Sequence, residues 1–274
     1  MKKILAIEWL KLKNYTAFKV LAAFFVLGVV LANYIVFSVN KNIIDNINTG
    51  GLVAAFSPYN FTNTWQTTSY ATGWLLILPA LLLIIIVTNE YNYRTARQNV
   101  IDGVSRTDFI YVKLLLAVIA AIGSTILVIL TATAFGFASG TSFGLNSVSH
   151  VGYFCMKALS YNIIAVFISV LVKRTGFAIG LYFIYLGAEN IISQLLDVWS
   201  LWLRKKHNLD LGSMGDYLPM NASDGLLTFP DNPLKSIAKS QLPTDYYWIV
   251  LALTVTYVIL FAWLSKRSFL RSDL

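Results

Sequence analysis

Residues 114–156 read LLLAVIAAIGSTILVILTATAFGFASGTSFGLNSVSHVGYFCM, a run with no Asp, Glu, Lys or Arg. A helix that crosses a bilayer needs about 20 mostly apolar residues, so this run is long enough for two. The cluster at 138–144, Ala-Ser-Gly-Thr-Ser-Phe-Gly, breaks it in the middle, where small and polar residues favour a turn. The expectation is a hairpin of two spans, about 108–137 and 149–172, joined by a short outer turn. The same arithmetic applies elsewhere. No charge lies between Lys19 and Lys41, between Asp45 and Glu90, or between Asp245 and Lys266. These gaps, with the mostly apolar stretch 177–196 whose one charge is Glu189, predict six spans at about 17–39, 71–89, 108–137, 149–172, 177–196 and 246–264. Pro79 falls inside the second, where a spanning helix tolerates proline with a kink.

Composition agrees. Of 274 residues 57% are apolar and only 12% are charged, about half the usual charged share of a soluble chain. That excludes an ordinary soluble enzyme, a disulfide scaffold and a disordered tail. The net charge of +8 does not indicate a nucleic-acid partner, because excess Lys and Arg in a membrane chain first reports topology. The single Cys155 permits no intramolecular disulfide, and His150 and His207 stand in no cluster at metal-ligand spacing. Ser139, Ser142 and His150 lack the third group of a hydrolase and lie at a glycine-rich turn. No metal, cofactor or catalytic constellation is expected.

The ends and connections supply orientation. In residues 1–16, Leu5, Trp9 and Leu12 share one helical face and lysines fill much of the rest. This fits an amphipathic helix in the headgroup region, or else the helical start of a long first span. With six spans and the amino end inside, the inner segments hold 14 of the 21 basic residues. Five of the other seven sit in the long loop 197–245, where the positive-inside rule counts least. Both termini are therefore expected in the cytoplasm, with the lipid bilayer as the surrounding partner. The polar segment 41–70 carries Gly50, Gly51 and Pro58 as breakers. The loop 197–245 carries Pro219, Pro230, Pro233 and Pro243. At its start Trp199, Leu201, Trp202 and Leu203 precede Arg204, Lys205 and Lys206, which predicts a short helix on the outer leaflet.

The most informative segment joins spans two and three. Glu90 closes span two, and residues 91–102 place Tyr93, Ala96, Val100 and Arg97 at helical spacing, with Arg94 and Gln98 on a second face. Gly103 stands where a helix C-cap is expected. Ser105 and Asp108 form the S-x-x-D pattern that starts a helix, with Arg106 between them. A short helix anchored at both ends by rigid spans would pass a push from below to both of them.

These features resemble the membrane subunit (permease) of the ABC-2 type family of ATP-binding-cassette transporters. The residues that carry the resemblance are Glu8, Lys11, Leu12 and Lys13 in the amino-terminal helix, Glu90, Arg94 and Thr95, then Gly103 to Arg106, Phe109 and Lys113. Tyr217, Leu218 and Pro219 before span six resemble the family's outer segment. By layout the resemblance covers nearly the whole chain, by motif mainly residues 90–113. It implies a permease dimer, with this chain pairing with itself or with a second subunit, in a bacterial inner (plasma) membrane. Beneath it two cytoplasmic ATPase subunits each receive a coupling helix in a groove. The coupling residues would be Glu90, Arg94, Arg97, Gln98, Gly103, Ser105 and Arg106. The chain has no G-x-x-x-x-G-K-[ST] phosphate loop. It is therefore not expected to be an enzyme itself, and the partner ATPase would use the ATP. The apolar interior suits export of a lipid-like or amphipathic substrate, and it also suits a closed dimer seam.

Two ionisable residues fall within spans, Lys157 and Glu189, and such groups are functional hypotheses by default. Their similar depths allow a pair between spans four and five; the alternative is that each snorkels outward. Asn33, Thr131, Thr133 and Asn162 are expected more for interhelical hydrogen bonds than for a path. Two other functional classes compete. A self-contained secondary transporter would need ion-coupling groups near the midplane, and only Lys157 and Glu189 qualify. A membrane anchor in an ATPase-driven mechanical or regulatory complex would need the same coupling helix and carry nothing.

Overall fold

The computed structural model describes residues 2–46, 58–230 and 246–272, and every regular element among them is a helix. A short α1 (Lys2–Asn14) leads into α2 (Thr16–Asn46). A second run comprises α3 (Thr64–Gly73), a 3-10 turn (Trp74–Leu76) and α4 (Ile77–Asn92). Then come the short α5 (Thr95–Ile101), α6 (Arg106–Ala138), α7 (Ser149–Val172) and α8 (Thr175–His207). A 3-10 turn (Met214–Tyr217) and α9 (Pro219–Gly225) precede α10 (Tyr247–Arg271). Six helical stretches are long and apolar enough to cross a membrane: Thr16–Val39, Thr64–Asn92, α6, α7, α8 and α10. The described residues are thus all-helical in their regular structure, and the six long apolar helices make the chain a multi-pass membrane protein.

Helix α7 is the axis of the bundle. Two-thirds (67%) of its most apolar window is buried, against 17% for α2, α8 and α10, and it packs on α4, α6, α8 and α10. Small side chains permit this: Ala117, Ala121, Ala132, Ala158, Ala165 and Ala178 are all fully buried. Between apolar helices close approach of this kind, not the hydrophobic effect, drives association. Both termini, the α4–α6 connection and the α7–α8 turn lie at one end, here the terminal end. Phe109 stacks on Phe269 there at 5.0 Å, and the Arg106 guanidinium donates to the Ser272 carbonyl. At the distal end the Phe61 ring lies over Gly136. A Cβ on that glycine would come within 2.6 Å of the ring, so no larger residue fits without movement. The Trp65 indole N–H donates to the Gly144 carbonyl at 2.9 Å, closing the α6–α7 turn over α3.

Several boundaries differ from the sequence expectation, each for a local reason. The second span begins at Thr64, not 71, because Thr64, Thr67, Thr68 and Thr72 are buried inside the bundle and need no apolar surroundings of their own. Pro79 lacks the N–H that would bond the Leu75 carbonyl, and the helix tightens to 3-10 winding over Trp74–Leu76. The fifth helix does not stop at 196 but runs to His207. No Gly or Pro interrupts it after Gly187, and the stretch Asp197 to Ser200 is held by the loop that follows. Asp197 accepts the Gly215 N–H at 2.9 Å, and the buried Ser200 hydroxyl donates to the Gly212 carbonyl. The expected separate helix at Trp199 is therefore the end of α8, and the distal loop begins at Asn208, not at 197. Gly50, Gly51, Pro233, Lys235, Lys239 and Pro243 lie outside the described residues.

The polar residues within spans are used for bonding between and along helices. Asn33 donates to the Thr72 hydroxyl at 3.2 Å and accepts from the Tyr59 hydroxyl at 3.0 Å, and Asn162 donates to the Ala117 carbonyl at 3.1 Å. Thr131 and Thr133 bond carbonyls of their own helix.

Candidate functional site

The terminal end gathers most of the charge-bearing features. Helix α4 ends at Asn92, and Arg94 takes a left-handed conformation (φ 57°) that redirects the chain before α5 starts at Thr95. The helix expected over 91–102 is thus shorter, because the start of that range still belongs to α4. Ala96 of α5 is buried against the bundle, while Arg94, Arg97 and Gln98 are exposed. The end of α5 is built by two hydrogen bonds, Gly103 N–H to the Val100 carbonyl and Val104 N–H to the Asn99 carbonyl, with Gly103 at φ +93°. This is a Schellman motif, which needs a residue free to adopt positive φ. Two residues on, the Ser105 hydroxyl oxygen accepts the Asp108 N–H at 3.0 Å and caps α6. Helix α5 is therefore held between two defined turns.

A buried ion cluster lies behind this joint. Lys113 of α6 is 1% exposed and donates to Glu8 Oε2 of α1 and to Glu90 Oε1 of α4, both at 2.7 Å. Lys11 of α1 reaches the same carboxylates at 3.0 and 3.1 Å. Two cations and two anions balance, as burial requires. Burial pushes the Glu8 carboxyl up, but Lys113 and Lys11 outweigh it and hold the group at about 2. For Lys11 burial acts downward, and Glu90 and Glu8 reverse it, so the ammonium stays charged beyond its ordinary range. The cluster ties α1 to the end of α4 and the start of α6, on either side of α5. The Glu90 carbonyl also accepts the Thr95 hydroxyl at 3.3 Å, linking the cluster to the first residue of α5.

On the other side of Glu90 lies a cleft of about 600 Å³ between α5 and the α7–α8 turn. Arg94, Arg97, Lys173 and Arg174 line it. The turn is fixed in place, since the Thr175 hydroxyl bonds both the Thr88 hydroxyl and the Asn92 amide at 2.8 Å. Lys173 stands 5.6 Å over the Tyr91 ring. Arg94, Arg97 and Arg174 are exposed and form no salt bridge among the described residues. Three guanidinium groups around one cleft suit carboxylate or phosphate recognition, where the planar fork gives bidentate bonds.

The residues singled out from the sequence therefore separate. Glu90, Arg94 and Arg97 meet at the cleft. Gln98 bonds Asp102 on the exposed side of α5 at 3.2 Å, Arg106 faces the carboxy-terminal segment, and Gly103 and Ser105 shape the turn. Sequence reasoning did not bring Glu8, Lys11 and Lys113 together, and Lys173 and Arg174 entered it only among the 14 inner basic residues that set the orientation. A sign was present: Lys113 shares its helical face with Phe109, Ile110, Leu116 and Ala117, all buried, so it had to have buried partners.

The intramembrane charges correct the expected pairing. Lys157 does not meet Glu189; its Nζ lies 3.2 Å from Asp224 Oδ1 of α9. Glu189 instead accepts the N–H groups of Met220 and Asn221, the second at 2.9 Å. These are donors of the first turn of α9, which no intrahelical carbonyl can satisfy. Asp224 also accepts the Tyr161 hydroxyl at 3.0 Å. The two buried charges therefore clamp α9 into the bundle from its two ends. Asn208–Leu218 carries no residue pattern that announces this return, so neither partner was legible.

Among the described residues no group of three or more His, Cys, Asp or Glu could hold a metal ion. Comparison with protein-family models and with curated proteins yields no match to this chain.

Proposed function

We propose that this chain is the membrane-spanning permease subunit of an ABC-2 type transporter, working as a dimer with a separate cytoplasmic ATPase to export a lipid-like or amphipathic substrate. The observation that carries the reading is the cleft beside α5, where Arg94, Arg97 and Arg174 stand exposed with no carboxylate partner among the described residues, on a joint tied to three helices. Unpaired guanidinium groups at such a place favour an acidic docking partner over lipid phosphates alone. In this reading the ATPase holds α5 in a surface groove. Its closure on ATP displaces α5, the Schellman and Ser105 turns pass the displacement to α6, and Glu90 passes it to α4. The Glu8–Lys113–Glu90 bridges make α1 move with them. The secondary-transporter alternative is less favoured, since its two candidates, Lys157 and Glu189, contact Asp224, Met220 and Asn221 of α9 rather than each other.

The test is a pull-down from gently solubilised membranes with the chain tagged, wild type beside Arg94→Glu/Arg97→Glu. An ATPase that co-purifies with the wild type and is lost from the double variant is the expected result. A wild type that comes down alone, folded and at normal expression, would overturn the reading.

A further inference from the structure

A cavity of about 580 Å³ lies under α1, between it and α2, α4 and α6. Its walls are apolar: Leu83 and Leu116 form the floor, and Trp9, 60% exposed, forms one side. It continues into a second cavity of about 310 Å³, since Leu12 and Ile86 line both. Most of the second is apolar too, but its lining includes the polar groups of Glu8, Lys11, Tyr15, Asn89 and Glu90. An apolar trough with a few convergent polar groups at one end has the build of an amphiphile site, and its size is that of small-molecule sites.

We propose that an anionic phospholipid of the surrounding bilayer occupies this groove, an acyl chain along the Leu83–Leu116 floor and its phosphate at Lys11 and Tyr15. Three observations select this occupant. Lys11 uses two of its three N–H donors on Glu8 and Glu90 and keeps one, with its side chain 42% exposed. Tyr15 accepts the Asn89 amide at 2.8 Å and retains its own proton to donate. The carboxylates nearby are balanced by Lys113 and Lys11, and residues 1–19 carry four further lysines, Lys2, Lys3, Lys13 and Lys19, with no carboxylate in that segment left to offset them. That surplus draws an anionic headgroup to the membrane surface and gives a zwitterionic one no advantage. The bound lipid fills the space that α1 leaves over α4 and α6, and so braces the helix that carries Glu8. The inference does not depend on an ATPase partner.

The experiment is native mass spectrometry of the full chain released from vesicles of equal parts phosphatidylglycerol and phosphatidylcholine. It is paired with photo-crosslinking from p-benzoylphenylalanine in place of Trp9. One retained phosphatidylglycerol per chain is expected, at least fivefold over phosphatidylcholine, with the same preference in the Trp9 crosslink. Ala120→Phe narrows the apolar cavity and should abolish retention. Tyr15→Phe should keep a lipid in the groove but reduce the preference. Equal retention or crosslinking of the two lipids by the wild type would overturn the proposal. So would retention unchanged in a folded Ala120→Phe chain.

Discussion

Lys113 occupies a position where a lysine is costly, about two turns into a helix that crosses the bilayer and 1% exposed. It is tolerated because Glu8 and Glu90 meet it at 2.7 Å. Removing one member of a buried pair leaves uncompensated charge and typically costs about 3–5 kcal/mol. Lys113→Met should therefore release α1, which has few other attachments, and limited proteolysis should cut within residues 1–16 at neutral pH. In the wild type the sign of the pH effect follows from Glu8. Its folded value, about 2, lies below the ordinary 4.5, so its stabilisation is complete above about pH 4.5 and is lost as pH falls toward 2. Resistance of α1 to an acid-active protease should persist from pH 7 to about 4.5 and fall below that. Loss beginning near pH 6 would contradict this role for Glu8.

At the scale of elements, α9 shows how a seven-residue helix is held where isolated helices of that length do not persist. Glu189 satisfies its first-turn N–H groups, Asp224 at its other end takes Lys157 and Tyr161, and the Gly215 turn before it fits against Ser193 and Asp197. Glu189→Gln keeps an acceptor for Met220 and Asn221 and should weaken the clamp modestly. Glu189→Leu leaves two buried donors unpaired, at about 1–3 kcal/mol each. Hydrogen exchange at Met220 and Asn221 should rise slightly in the first variant and strongly in the second; equal rates would exclude the cap. The same element explains what the sequence could reveal. The Gly103 and Ser105 caps were legible because each involves residues within five positions of one another. The spans were legible because apolar length alone decides them. The partners of Lys157 and Glu189 were not, since they depend on residues 216–224 folding back between α7, α8 and α10, a return that no local pattern encodes. The end of the fifth helix failed for the same reason: Asp197 and Ser200 look like loop residues until Gly215 and Gly212 are beside them.

At the scale of the whole molecule, both ends carry basic residues, with Arg204, Lys205 and Lys206 closing α8 at the distal end, but the ends differ in what is built around them. The terminal end holds the Arg94–Arg97–Arg174 cleft and the ion cluster. The distal end holds the Phe61–Trp65 cap and the α9 clamp. The terminal-end segments hold 14 of the 21 basic residues, so the positive-inside bias predicts that this end faces the cytoplasm, and the proposed ATPase reading requires the same, because ATP is there. Two labelling sites separate the ends, since Gln98 and Ser142 are both exposed. In a Cys155→Ser background, an impermeant maleimide added to spheroplasts should label Ser142→Cys at once and Gln98→Cys only after permeabilisation. Inverted vesicles should give the reverse. If Gln98→Cys labels from outside, the arginine cleft faces away from every cytoplasmic partner. The permease reading would then fall, whereas the anionic-lipid site would move to the other leaflet and could still be tested by its retention of phosphatidylglycerol.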